Sequence, residues 1–392
     1  MAGRNRKKEF DLHLKIALTE RGTGLFLRQK KGLSKFRMTD TSEEYGLLME
    51  NGSPASIQRF LLADCISKIE AANIDPLSAR SDIIDLAKLI VHSLLYRHFD
   101  AELLNRVLAS EIVVRWNRAN PQSLIDEKAF QGSASSELKK LVGEKAPDVE
   151  KIRKLILDPL KLGIAGNARF DNEEKKVQIL QVEKFMDISN ALLWYILLKF
   201  QSDWNFRDLT LVIRSCLVEY LKKVRIADYI ALMIMELALA SEYRSIRKEA
   251  AIAELGGLPG GSPGGLPEGE KLDSIIRSLK AKNSLVSIAW KMGGNSSSIG
   301  TERRLQVVLY DRSADVREIR SGIDEVKSAD VRKRSIYSFY REQEDGKTQA
   351  GLGLYYISYL EEACERVDIK FEYLVNQIPD TDITMITLSF IL

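Results

Sequence analysis

The chain of 392 residues has little cysteine and little histidine, three of each. The cysteines, Cys65, Cys216 and Cys364, lie far apart and are odd in number. This excludes a disulfide framework and the paired cysteine spacing of a structural zinc site. Isolated cysteines are typical of proteins kept in a reducing compartment, so the expected localisation is cytoplasmic.

Long apolar runs and an excess of one charge are also missing. No stretch of about 18 consecutive apolar residues occurs, so we expect no membrane-spanning helix. The net charge is only +3, which makes nucleic acid an unexpected partner. A basic stretch, residues 25–37, is interpreted as a solvated hairpin or a disordered arm. No P-loop, nucleophile elbow or zincin helix is found.

Changes in pattern along the chain predict four regions. They are a basic N-terminal arm at 1–55, a helical domain at 56–180, a helical connector at 181–225 and a C-terminal domain at 226–392. Apolar residues recur every three or four positions through the two helical regions. Within the helical domain, the polar run 171–174 predicts the turn of a small hairpin at 163–180. Residues 256–269 are rich in glycine and proline, which predicts a flexible loop.

The C-terminal region combines helix-like and strand-like patterns. Apolar periodicity predicts helices at residues 230–240 and 351–365. Four strand candidates lie near residues 285–292, 304–310, 369–375 and 384–391. We therefore expect one sheet from these four strands, with the two helices packed on one face.

Five residues in this region lie in an ordered series of motifs. Glu236 lies on the first long helix, and Asp311 ends the second strand. Gly351 and Gly353 precede the second helix, and Thr387 lies on the last strand. The series resembles the ATP-binding domain of histidine kinases and their relatives, the gyrase, Hsp90 and MutL superfamily. The implied fold class is α+β, an N-terminal all-α helical region followed by a C-terminal α/β sandwich of the histidine-kinase ATPase type.

The resemblance also implies a role for each of the five residues. Glu236 would belong to the first motif, Asp311 would accept the adenine amino group, and Thr387 would lie near the base. Gly351 and Gly353 would offer backbone N–H groups to the phosphates, as helix N-termini do for anions.

Two departures from that pattern bear on activity. Ala240 stands where active members carry the asparagine that holds Mg²⁺, and Arg312 replaces the first glycine after the adenine-binding aspartate. We therefore expect weak ATP binding without Mg²⁺, no metal ligands and no catalytic residues. His13, His92 and His98 lack the acidic neighbour that follows a phosphoacceptor histidine.

Three functions follow as expectations. The first is a cytoplasmic signalling or regulatory protein whose degenerate kinase-like domain senses nucleotide or binds a partner without phosphotransfer. In this reading a protein partner binds through the helical region. The second is an active ATP-dependent protein kinase with divergent motifs. The third is a purely structural helical scaffold.

Overall fold

The computed structural model describes residues 9–28, 33–38, 43–50, 52–128, 133–255, 268–293, 303–312, 316–317, 319–321 and 352–392. The chain divides into two compact units. Unit 1 comprises residues Met1–Leu94 and Ile226–Leu392, and unit 2 comprises Leu95–Arg225. Unit 2 is therefore inserted, along the chain, between the two segments that build unit 1.

Unit 1 is a mixed α+β structure. Its strands are β1 (Leu14–Leu18), β2 (Ser34–Arg37), β3 (Glu43–Met49), β4 (Ile66–Ile74), β5 (Val286–Gly293), β6 (Arg304–Asp311), β7 (Lys370–Gln377) and β8 (Thr384–Ile391). Its helices are α1 (Glu20–Arg28), α2 (Pro54–Leu62), the first part of α3 (Pro76–Leu108), α10 (Ile226–Leu255), α11 (Glu270–Ala281) and α12 (Leu352–Glu365).

Unit 2 is built from helices in its described residues. They are the end of α3, then α4 (Glu111–Ala119), α5 (Ser133–Glu144), α6 (Ala146–Ala165), α7 (Asn172–Ile188), α8 (Ala191–Phe200) and α9 (Phe206–Val224). The rings of Phe99, Phe185 and Tyr220 meet at its centre, with centroids 4.8 Å apart for Phe185 and Tyr220 and 5.6 Å apart for Phe99 and Tyr220.

The described strands form a single antiparallel sheet in the order β2-β3-β1-β4-β5-β6-β8-β7. Direct pairing aligns a row of apolar side chains across five strands: Ile16, Ile69, Trp290, Val307 and Leu388. All five are 0% exposed. Because side chains alternate along a strand, this row marks one face of the sheet as the core face.

The opposite face carries a more polar row. It consists of Lys15, Glu70, Ala289, Val308 and Thr387, which pair directly across the same strands. The middle of this row is also buried, because Glu70, Ala289 and Val308 are at most 4% exposed. Both faces of the central strands are therefore covered.

The four C-terminal strands and two helices that the sequence predicts are present, and the strands share one sheet. The α+β class is thus confirmed. The prediction of an all-α N-terminal region is wrong, because residues before α3 supply four strands of the same sheet.

The observed units also differ from the four predicted regions. Residues 14–74 pair with the C-terminal strands through the contact of β4 with β5, so neither the 1–55 arm nor a separate 226–392 domain is seen. The predicted hairpin at 163–180 is the end of α6 and the start of α7. Of the predicted loop 256–269, residues 256–267 lie outside the described residues.

Candidate functional site

Asp311, the expected adenine-binding residue, is held by the protein itself. It ends β6 and is 1% exposed. Its Oδ2 accepts a hydrogen bond from Nη2 of Arg244, on α10, at 2.7 Å. A buried carboxylate needs a cationic or hydrogen-bonding partner, and the guanidinium supplies one. The structure thus gives the Asp311 carboxylate a role in tying α10 to the sheet.

Thr387 and Asp311 lie on opposite faces of the sheet. Asp311 lies four residues after Val307 on β6, so its side chain points to the same face as Val307, which is in the apolar core row. Thr387 pairs directly with Val308, which is in the polar row. Since alternate residues point to opposite faces, the two side chains cannot line one nucleotide pocket.

Glu236 is also remote from Asp311. It lies on α10, eight residues before Arg244, a separation of about 12 Å along the helix axis. The side chain is 9% exposed. Burial raises the pKa of this carboxyl, and the positive charge of Arg80 acts in the opposite direction.

Of the two predicted phosphate-binding glycines, Gly353 lies within the first turn of α12. Gly351 lies outside the described residues. The described part of the chain therefore does not bring the five predicted residues together at one site. Nor do its described residues contain a group of three or more histidine, cysteine, aspartate or glutamate side chains that could hold a metal ion.

An open hollow of about 840 Å³ lies beside the end of β6. Arg312 and the turn between β7 and β8, residues 377–383, line it. The hollow is next in sequence to residues 313–315, which are outside the described residues, and we assign it no ligand.

A stronger candidate for function lies on the surface of unit 2. On α6, Leu155 is 52% exposed and Leu162 is 74% exposed. Seven residues separate them, which is about two helical turns, so both lie on one side of the helix. The other side of α6 is buried, as at Leu157 and Ile164.

The adjacent helix α7 repeats this arrangement. Its buried side includes Val182 and Phe185. Its exposed side presents Val177, Leu180 and Ile188, which are 50%, 49% and 49% exposed.

Ion pairs between α6 and α7 fix their relative register. Arg153 pairs with Asp187, and Nζ of Lys161 lies 2.6 Å from Oε1 of Glu183. The helices are therefore antiparallel, with Leu155 at the level of Ile188 and Leu162 at the level of Leu180. We call the five side chains Leu155, Leu162, Val177, Leu180 and Ile188 the α6–α7 patch. Exposed aliphatic side chains at matched levels of two neighbouring helices are a candidate interaction site.

A second exposed apolar group, Trp204, precedes α9 and is 78% exposed. The guanidinium carbon of Arg115 lies 5.5 Å from the centre of its ring, and Arg115 also pairs with Asp203 at 2.7 Å. One side of the indole is thus in contact with the protein. The sequence analysis expected a protein partner at the helical region but named no surface residues for it. The seven-residue spacing of Leu155 and Leu162 is the signal that could have revealed the patch.

The comparisons with known proteins cover nearly the whole chain. The family of unknown function DUF8084 matches residues 5–392. The chain belongs to this family. It is also 32% identical over 391 residues to an uncharacterised protein of Treponema pallidum (strain Nichols), with all of both chains covered. No solved structure matches the chain.

These matches correct the resemblance to histidine kinases. The family that spans the chain is DUF8084 and not a kinase-type ATPase family, so that assignment is wrong. The order of the motifs suggested the wrong family because the fold separates Asp311, Thr387 and Glu236. Each residue type is present, but the fold places each in a different environment. No helix in the described ranges is long and apolar enough to cross a membrane.

Proposed function

We propose that the protein is a cytoplasmic, non-catalytic interaction protein that binds a protein partner through the α6–α7 patch. The observation that carries the proposal is that five exposed aliphatic side chains lie at matched levels along two adjacent helices. Burying such a side chain stabilises a complex by about 1.5–3 kcal/mol. The pairs Arg153–Asp187 and Lys161–Glu183 join the two helices, so the five side chains keep their relative positions.

Unit 1 has a supporting role in this proposal. Its buried Asp311–Arg244 pair closes the position where the sequence predicts a base contact, so the proposal does not require ATP. The three cysteines are buried and form no disulfide among the described residues, which suits a reducing compartment.

The test compares three purified full-length chains: the natural protein, the double variant Leu155→Glu/Leu162→Glu and the control Ile252→Glu. Ile252 is 56% exposed on α10, in unit 1, so it matches the substituted leucines in exposure. Each chain is used to capture proteins from the organism's extract, and each captured candidate is purified and titrated directly. We expect one candidate to bind the natural and control chains but to bind the double variant at least about tenfold more weakly.

Light scattering at several protein concentrations tests whether the partner is a second copy of the chain. Self-association lost only in the double variant would identify the patch as a homodimer interface. Equal binding of every candidate by the double variant, together with unchanged mass, would refute the proposal. Since both leucines are exposed, their substitution should change stability by no more than about 0.5 kcal/mol.

A further inference from the structure

One corner of unit 1 joins β4, α3 and α11 through polar contacts at the start of α3. Asp75 precedes that helix, and its Oδ1 accepts a hydrogen bond from the backbone N–H of Ser78 at 3.3 Å. The carbonyl of Asp75 accepts from the N–H of Ala79 at 2.8 Å. From α11, Nζ of Lys280 lies 3.5 Å from Oδ2 of Asp75. Asn73 donates its side-chain N–H to the carbonyl of Lys280 at 2.9 Å.

Glu242, on α10, is 1% exposed. Nζ of Lys88 on α3 lies 2.6 Å from Oδ1 of Asp228 on α10, and the charge of Arg80 acts on Glu236 one stretch further along the two helices. The helices therefore run antiparallel, which places Glu242 at the level of Asp75.

Neither carboxyl oxygen of Glu242 has a hydrogen bond of normal geometry to the described residues. Burial and the negative charge of Asp75 raise the pKa of Glu242 to about 8, and the N–H of Leu77 and the ammonium of Lys280 only partly oppose this. Among the described residues, the charged groups that act on Glu242 are thus Asp75 from the start of α3 and Lys280 from α11.

Two adjacent buried carboxyls favour a state in which they share one proton, because two adjacent negative charges repel in a medium of low dielectric constant. The protonated carboxyl can donate one hydrogen bond, and Asp75 is an acceptor. We propose that Glu242 and Asp75 form a proton-dependent latch, in which the proton shared by the two carboxyls holds the first turn of α3 against α10. Loss of this proton to solvent leaves two carboxylates and one ammonium, and the turn opens.

The direction of the pH dependence follows from the two states of Glu242. In the closed latch its pKa is raised to about 8, and in the open latch it returns to the ordinary value of 4.5. A raised pKa means that the closed state binds the proton more tightly. The latch is therefore tightest below the ordinary pKa, weakens as the pH rises towards about 8 and stays weak above it.

Hydrogen exchange of the full-length protein measures how often the first turn of α3 opens. The amides of Ser78 and Ala79 both donate to Asp75, so they report opening of this turn. After correction for intrinsic exchange, their opening equilibrium should rise by up to about tenfold per pH unit between about pH 5.5 and about pH 8, then level off. The variant Glu242→Gln keeps the shape but cannot ionise, so its opening should not change with pH.

Glu249→Gln is the matched control. Glu249 lies seven residues further along α10 and accepts hydrogen bonds from Ser278 and Lys282. These contacts lower the pKa of Glu249, so the control should keep the natural pH dependence. An equal slope in Glu242→Gln and the natural protein would overturn the proposal.

Infrared titration of the natural protein is a second measurement that needs no variant to fold. A protonated carboxyl should be present at neutral pH and disappear as the pH rises past about 8. Asp75→Asn should move that loss to lower pH, because it removes the neighbouring negative charge while asparagine still caps the helix well. A spectrum without a protonated carboxyl at about pH 6 would also overturn the proposal.

Discussion

At the scale of single residues, burial determines what a charged side chain can do. The carboxylate of Asp311 is 1% exposed and is matched by Arg244, whereas Glu242 is equally buried but has a second carboxylate, Asp75, as its neighbour. The role of an aspartate or glutamate in a motif therefore cannot be assigned until its neighbours in the fold are known. The sequence indicated that Asp311 ends a strand but not that α10 would bring a guanidinium to it.

The Asp311–Arg244 pair provides a test at this scale. Arg244→Ala leaves a buried carboxylate without its cation, so we expect a loss of about 3 kcal/mol in the free energy of unfolding. Urea unfolding at neutral pH measures the loss. Arg277→Ala is the control, because Arg277 is exposed and, among the described residues, its side chain donates to the carbonyl of Asp273 in its own helix. A loss below about 1 kcal/mol in Arg244→Ala would mean that other groups stabilise Asp311.

At the scale of secondary structure, two elements show how short patterns can be misassigned. Residues 171–174 are polar and suit a turn, but Asp171 is the N-cap of α7. Its Oδ1 accepts from the N–H of Glu174 at 2.8 Å, and Oε2 of Glu174 accepts from the N–H of Asp171 at 3.1 Å. The same residue types serve turns and helix starts, because both need side chains that bind free backbone groups.

Strand β4 was missed for a related reason. Ile66 and Ile69 are three residues apart, a spacing that also suits a helix. The strand lies in the middle of the sheet, between β1 and β5, and its register shifts between Ala71 and Ile74. Burial on both faces and a bulge remove the simple alternation by which strands are recognised.

The cap of α7 leads to a prediction about this element. Asp171→Ala should lower the free energy of unfolding by about 1 kcal/mol, because it leaves N–H groups at the start of the helix without acceptors. Asn172→Ala, one position further along, removes no capping contact and should be close to neutral. Thermal unfolding followed by circular dichroism would compare the two, and equal midpoints would contradict the assignment of the cap.

At the scale of the whole molecule, the eight described strands divide into two similar halves. Each half has the chain order strand, helix, strand, strand. The first half runs β1, α1, β2, β3 and has the sheet order β1-β3-β2. The second half runs β6, α12, β7, β8 and has the matching sheet order β6-β8-β7. The antiparallel pair β4 and β5 joins the halves at the centre. The sheet thus requires both ends of the chain, while unit 2 is continuous in sequence.

This organisation predicts how fragments of the chain behave. Residues 95–225 contain the whole of unit 2, including its aromatic centre and the Arg106–Glu219 pair, so we expect this fragment to fold alone. Residues 226–392 lack β4, which leaves Ile288 and Trp290 of β5 without their neighbours, so this fragment should not fold. Dispersion of amide resonances measures both outcomes, and a well-dispersed spectrum from residues 226–392 would contradict the two-unit division.

The sequence alone determined what depends on local pattern. Strands β5 to β8 and helices α10 and α12 follow from apolar periodicity, because each pattern reflects one buried face. Tertiary structure alone decided what depends on distant pairing. It brings β1 to β4 into the same sheet, Arg244 to Asp311 and Glu242 to Asp75. It also leaves five aliphatic side chains of α6 and α7 exposed. Ile69 and Trp290, for example, are 221 positions apart in sequence, and no local pattern encodes such a neighbour.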